Sequence, residues 1–522
     1  MANKQLFSTS RQHRARPANT VNRAGGKAYK LTDAEVLCQY VVTSTFNDTY
    51  YAKGREQLDK IKSVCENVSP VLIAKAAVYG HESGKMKDVP AYLLAVLAAR
   101  QEYDLLTRAF PRVITTPKML LNFVQIIRSG VTGRKSFGSC PKRLINNWLT
   151  SRRGNKIFTA SIGKQDPSLA DVIKMTHPRP INDEQQAIFS YLLDRDYDFE
   201  MLPPLTQAFE NFKKDNTLPV PNMNWTALTN CNLTPNHWKE IAKNMPWNTL
   251  RMNLNQLNKH KVFKDQEVLD RLVNKLKNPN EVQNNNAFPY QLLTTFQNMG
   301  SDIPMSIKLA LQDAMEIATK NVPVLGNRVA VCVDVSASMN SPITGNRGRV
   351  STATKCKDVA ALIAASVART NPETIVVSFG TQARIVPNYN PRDSVMTNSN
   401  KLADESRYCG HGTNASSAME VLRRYNKSLD FVIFVSDMQS WMDNSYYSPG
   451  LMAQWNAFKG KNKRCRLVEI NLQPYSTTVA DHSDKDVMNI GGFSDSVFDV
   501  LAEFAHRKDN CRFTDVVEAV EL

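Results

Sequence analysis

The sequence predicts two architectures in one chain, a helical half up to about residue 324 and a doubly wound α/β half beyond it. Three observations carry this. Before residue 320, apolar residues recur at three-to-four spacing in short segments punctuated by Ser or Thr, Pro and Gly. After "NVPVLGN" (321–327), short β-branched runs alternate with amphipathic stretches. The charge divides as well. Residues 1–324 hold 43 Lys and Arg against 28 Asp and Glu, whereas residues 325–522 hold 22 against 21.

The helical half follows from its punctuation. "SPVLIAKAAVYG" opens on Ser69-Pro70 and is expected to stop at Gly80. "TPKMLLNFVQIIRSG" opens on Thr116-Pro117 and should stop at Gly130. A hydroxyl cap, Pro in the first turn and Gly after the last turn mark a helix at both ends. "PAYLLAVLAARQ", "DEQQAIFSYLLD", "DQEVLDRLVNKL", "PYQLLTTFQNMG" and "SIKLALQDAMEIATK" carry the same apolar spacing. Short helices on short polar turns predict stacked antiparallel pairs of the HEAT or armadillo kind.

The second half reads as strands "RVAVCVDVS", "TIVVSFG", "DFVIFVSD" and "RLVEINL", with helices such as "TKCKDVAALIAASVART" and "NASSAMEVLRRYN" between them. Continuously apolar strands separated by amphipathic helices predict a parallel sheet covered on both faces. Ligands of such sheets bind at the carboxyl ends of the strands.

Composition narrows the function. The net charge of +16 comes almost wholly from the first half, which points to a polyanion, RNA or DNA before anionic lipid. No apolar run is long enough for a membrane span. The N-terminus is Arg-rich and poor in acids but has no apolar core, so it is not a secretory signal; it reads as a basic arm, with a mitochondrial presequence as the alternative. The nine cysteines are scattered without a CxxC, which supports neither a disulfide framework nor a zinc cluster and fits a reducing, cytoplasmic setting.

One stretch carries specific chemistry. In "VAVCVDVSASMNSP" (329–342) the apolar run ends on Asp334, Ser336 and Ser338, one carboxylate and two hydroxyls on a tight loop. Hard oxygen donors of this kind suit a divalent metal, Mg²⁺ first. One loop does not complete an octahedron. Thr413 in the Gly-rich "CGHGTNASSA" and Asp437 at the end of "FVIFVSD" lie at two further strand ends. Any one of these residues is as readily a helix cap; three matched positions favour a metal site.

This pattern resembles the von Willebrand factor A domain and its metal-ion-dependent adhesion site, in which D-x-S-x-S is joined by a Thr and an Asp. Two acids usual in that family are replaced here, by Asn414 and Gln439, so the site carries less negative charge.

The resemblance extends upstream. "GRKSFGSCPKRLINNW" (133–148), "DVIKMTHPRP" (171–180), "MPWNTLRMNLNQL" (245–257) and "FPYQLL" (288–293) precede "VCVDVSASM", and "VADHSDKDVMNIGGFSDSVFDVLAEF" (479–504) follows it. In this order they resemble the Ro autoantigen family, a TROVE module of helical repeats closed into a ring and followed by an A domain. The resemblance implies a basic arm at 1–24, a ring at 25–324 and the A domain at 325–522. It implies a scaffold for small non-coding Y RNAs on a basic outer surface, with single-stranded 3′ ends of misfolded RNAs passing through the ring, in RNA quality control. Lys142, Arg143, Lys164 and His177 then stand at RNA-contacting positions, with Thr176 in place of a Ser. An exoribonuclease and a protein donating an acid to the metal site are the implied protein partners.

Other signals fail. "GHESGK" (80–85) has too short a spacing for a phosphate loop and is followed by Met86 rather than Ser or Thr. No GxSxG elbow or Cys-His nucleophile motif occurs. A metal-dependent nuclease or phosphatase at Asp334 and Asp437 is the enzymatic alternative, and a protein-adhesion module is the other. The reading adopted is a non-catalytic RNA-binding scaffold, because a single oxygen-rich site lacks a positioned base and a second metal.

Overall fold

The computed structural model describes residues 16–522 except 164, 286, 288, 327, 348–349, 426–427, 443–449, 495 and 507–511. The chain forms two compact units. One comprises residues up to Leu58 together with Lys320–Val516, and the other comprises Asp59–Thr319 with the last six residues, Val517–Leu522.

The helical unit is built as its punctuation demands. Ser69 caps the helix Pro70–Glu82 by accepting from the Leu72 N–H, and Thr116 caps Pro117–Ser129 through Met119 N–H. Gly130 closes the second helix with a left-handed φ of 76°, a conformation glycine adopts without strain. Gly80 does not close the first. That helix runs on to Glu82 and Gly80 is buried inside it, because Val78, Tyr79 and Gly80 pack inward with the rest of the turn. Asp88–Ala99 is apolar on nearly every face and is buried from Val89 to Ala98. Asp183–Leu192, Gln266–Leu276, Pro289–Gln297 and Met305–Ala318 appear where the periodicity puts them. Neighbouring helices pack in sequence order along the unit.

The other unit is organised around a six-stranded sheet. Its order is Val487–Gly491, Arg466–Asn471, Phe431–Ser436, Val329–Asp334, Ile375–Phe379 and Ala383–Ile385. The first five strands are parallel, and Ala383–Ile385 turns back antiparallel on Ile375–Phe379. This short edge departs from the expected wholly parallel sheet; Gly380–Gln382 closes a tight hairpin, and the strand is only half-buried. Val329–Asp334 and Phe431–Ser436 are buried at every position, which explains their unbroken apolar sequence. The chain order reverses between these two strands, so a crevice opens at their carboxyl ends.

The N-terminal boundary differs from expectation. Residues 25–58, assigned from sequence to the helical module, belong to the sheet unit. Lys27–Lys30 pairs antiparallel with Thr477–Thr478, and the helix Asp33–Thr43 packs along Val487–Gly491. Gln39 donates its amide to Asn489 O at 3.1 Å. Tyr29 enters the apolar cluster formed by Ala330, Cys332, Phe379 and Phe434. The local pattern of 33–43 is helical in either setting, and its partner lies 450 residues away. The C-terminus crosses the other way: Lys75 donates to Glu518 O and Arg112 to Glu521 O within the helical unit. Residues 1–15, most of the expected arm, lie outside the described residues.

Candidate metal centre and nucleic-acid interface

Asp334 ends its strand facing the end of Phe431–Ser436. Val333 is in register with Val435, so Asp334 meets Ser436 one step further on. Ser436 Oγ donates to Asp334 Oδ2 at 2.6 Å, and the Ser336 N–H donates to Asp334 Oδ1 at 2.9 Å. The hydroxyls of Ser336 and Ser338 lie 3.3 Å apart. The Gly-rich loop is drawn in by the Ala337 N–H, which donates to His411 O at 3.0 Å. Thr413 follows, its carbonyl accepting from Ser440 Oγ at 3.1 Å. The five residues expected to hold a metal therefore converge at the carboxyl ends of adjacent strands. All five are buried, with Asp334, Ser336 and Asp437 at 0% exposure.

The electrostatics fit a cation. Burial raises the Asp334 carboxyl above the usual carboxylate range, against hydrogen bonds from Ser436 and Ser336. Burial and then repulsion by Asp334 raise Asp437, against the Ser338 side chain and the Gln439 N–H. Two buried carboxylates with no positive group between them among the described residues are costly, and a divalent ion removes that cost. Asp437 Oδ2 is the direct sign: it is buried without a hydrogen-bond partner among the described residues. The donor set is two carboxylates and hydroxyls, suited to Mg²⁺. Among the described residues, no group of three or more His, Cys, Asp or Glu side chains is placed to hold a metal.

The two substituted acids have structural uses. Asn414 caps the helix Ala415–Tyr425, its Oδ1 accepting from the Ser417 N–H at 3.2 Å and from Ser416 Oγ at 2.8 Å. Gln439, fully buried, donates Nε2–H to Asp437 O at 3.4 Å and accepts the Arg23 N–H on Oε1 at 2.9 Å. A carboxylate cannot do both, since it has no proton to donate when ionised.

Ser436, Arg23, Tyr51 and Tyr475 were missed from sequence. Ser436 had a signal, for aligning the two apolar runs end to end pairs it with Asp334. The tyrosines had none. Tyr475 Oη bonds to Gln473 Oε1 at 3.0 Å and to Thr49 Oγ1 at 3.2 Å, and the Tyr51 N–H donates to Tyr475 Oη at 3.4 Å. Nearby carboxylate charge from Asp437 adds to burial in raising both phenols.

In the helical unit, Lys142 and Arg143 lie on the helix Ser139–Thr150, with Arg143 exposed. His177 is the exposed left-handed cap of Leu169–Thr176, at φ 50°. Asn146, one turn beyond Lys142, donates to Thr176 O at 3.1 Å, so the two elements are neighbours. Lys164 lies outside the described residues. Lys174 and Arg179 are exposed beside His177 in sequence. The expected charge split changes once the units are known. The helical unit holds 33 Lys and Arg against 26 Asp and Glu, and the sheet unit 32 against 23. The basic surplus is instead concentrated in residues 105–182, with 14 Lys and Arg against two acids, the stretch that contains Lys142, Arg143 and His177.

A family model described as the Ro60 vWA domain matches residues 328–505. The chain is 20% identical over 526 residues to the RNA-binding protein RO60 of Deinococcus radiodurans, across 93% of this chain and 94% of that protein. The crystal structure of the Deinococcus radiodurans RO (RSR) protein shares the fold, with a TM-score of 0.63 and 17% identity over 91% of this chain and 99% of the other. The chain is therefore similar over nearly its whole length to Ro proteins, and residues 328–505 of its sheet unit match the Ro60 vWA domain.

Proposed function

We propose that this protein is a non-catalytic RNA-binding scaffold. It holds a small non-coding Y-like RNA on the basic face of its helical unit and accepts single-stranded 3′ ends of misfolded RNAs through a helical ring. The observation that carries the reading is the concentration of 14 basic residues against two acids in residues 105–182. Exposed basic side chains at this density would track phosphates with little base selectivity, and the affinity would fall with salt. Lys142, Arg143 and His177 are the contact residues, joined by Lys164. Similarity to a protein named as RNA-binding supports the class of ligand. RNA quality control in the cytoplasm, with an exoribonuclease acting on RNA so presented, is the corresponding role.

Asp334, Ser336, Ser338, Thr413 and Asp437 would hold a divalent cation, with Mg²⁺ the chemical fit. When bound, the ion neutralises the paired carboxylates and fixes three loops at the strand ends. Hydrolysis at this centre is disfavoured by burial, since Asp334 and Asp437 expose no surface to a phosphodiester. The test is binding of single-stranded and structured RNA to the full chain across a salt series. Salt-sensitive binding lost on reversing the charges of residues in 105–182 supports the scaffold. Binding untouched by those changes would overturn it, and Mg²⁺-dependent cleavage of the RNA would favour the nuclease.

A further inference from the structure

An adhesion site of this class is useful to a partner only if an acidic side chain can reach the ion. Here the approach is taken by the chain itself. Residues 22–26 lie against the loop after Phe431–Ser436. Asn22 Nδ2 donates to Ser440 O at 2.6 Å, and the Arg23 N–H donates to Gln439 Oε1 at 2.9 Å. Contact at Gly26 is so close that an added Cβ would stand 1.9 Å from Ser440 O. On the other side, Asn346 N–H donates to Asp48 O at 2.6 Å, and Asn47 Nδ2 donates to Thr344 O at 2.8 Å, which fastens residues 47–48 to the loop after Ser338. Tyr51 follows directly. Its N–H donates to Tyr475 Oη at 3.4 Å, and the two rings meet edge to face at 6.0 Å.

We propose that the metal centre is closed by the protein's own N-terminal segment, with residues 22–26 and 47–48 sealing the approach that a partner's carboxylate would otherwise take. The inference rests on the metal reading above. It makes the ion a resident part of the sheet unit, not a docking point for another protein. The cover is anchored as a permanent element would be. Ala28 and Tyr29 are buried, and the helix Asp33–Thr43 is buried from Val36 to Thr43. Gln439 has an amide where an acid is usual because it latches the cover: its acceptor takes Arg23 and its donor holds the Asp437 carbonyl.

Two measurements on the full chain separate this from the metal reading itself. The first needs no metal. In a Ser338→Cys background, the rate of labelling at residue 338 by a small maleimide is read by peptide mass spectrometry, with and without Asn22→Ala or Gly26→Ala. Slow labelling that rises about tenfold or more when either change loosens the cover is expected. Fast labelling already in the parent would overturn closure. The second is Mn²⁺ binding followed by electron paramagnetic resonance. Wild type should bind Mn²⁺ with an affinity unchanged by acetate, a stand-in for a partner's carboxylate. Asn22→Ala or Gly26→Ala, which loosen the cover, should make that affinity respond to acetate. Acetate-enhanced binding in wild type would overturn closure. Absence of Mn²⁺ binding in every variant would instead sink the metal reading, and the labelling rates would still decide whether the face is covered.

Discussion

The Arg23 N–H and the Gln439 side-chain oxygen, 416 positions apart in sequence, are joined by a hydrogen bond of 2.9 Å at the end of the central strands. The bond ties the start of the chain to the loop that carries Asp437. It also gives the uncharged Gln439 a reason to stand two residues beyond a proposed metal ligand.

Replacing Gln439 by Glu should therefore act in two directions. Without divalent ions, a third buried carboxylate joins Asp334 and Asp437, and the bond to Asp437 O is lost. Stability should fall by about 1–3 kcal/mol, the cost of an unsatisfied buried group. With Mg²⁺ the loss should shrink, because each added acid strengthens attraction for the ion. Thermal melts with chelator and with Mg²⁺ check this; a Glu variant that responds to Mg²⁺ no more than wild type would contradict it.

Asp334→Ala should abolish stabilisation by Mg²⁺ while leaving RNA affinity unchanged. A ligand at 100 times its dissociation constant adds about 2.7 kcal/mol to the folded state, so millimolar Mg²⁺ should raise the wild-type melting temperature and not that of the variant. Calorimetry with Mg²⁺ and Mn²⁺ on both proteins is the measurement. Equal responses would reduce the Asp334 loop to an ordinary strand end.

Reversing Lys142 and Arg143 to Glu should weaken RNA binding similarly for different sequences. The slope of log affinity against log salt should flatten by about one unit per lost phosphate contact. An unchanged slope would take both residues out of the interface.

Tyr29→Ala should destabilise the sheet unit. Tyr29 is 6% exposed, packs with the strand residues of the apolar cluster, and donates its hydroxyl to Arg16 O at 2.7 Å. Truncating a buried aromatic costs about 3–5 kcal/mol. Hydrogen exchange should show the loss in strands 329–334 and 431–436. A loss confined to the helical unit would return residues 25–58 to the module that the sequence suggested.

Much of this protein was legible without coordinates because the signals are local. Ser69, Thr116 and Gly130 terminate helices through bonds within one turn of themselves. The apolar runs 329–334 and 431–436 announce buried parallel strands, because a strand covered on both faces has no polar side to display. Asp334, Ser336 and Ser338 stood out because they break such a run, and Asp437 because it ends another. From those patterns alone, the helical half, the doubly wound half and the five residues at the strand ends were all named.

What the sequence left open depended on contacts between distant segments. The apolar pattern of 33–43 forms a helix wherever it lands, and only its packing on Val487–Gly491 assigns it to the sheet unit. That assignment moves the basic N-terminal residues with it, which is why the charge asymmetry between halves became a concentration in residues 105–182. Nothing near Asn47 or Arg23 in sequence marks either as a neighbour of Thr344 or Gln439. Short-range periodicity and capping determine which elements form. Which surfaces those elements bury is decided by the global minimum of apolar exposure and unpaired polar groups, and that minimum brought residues 22–51 over the carboxyl ends of strands some three to four hundred residues later.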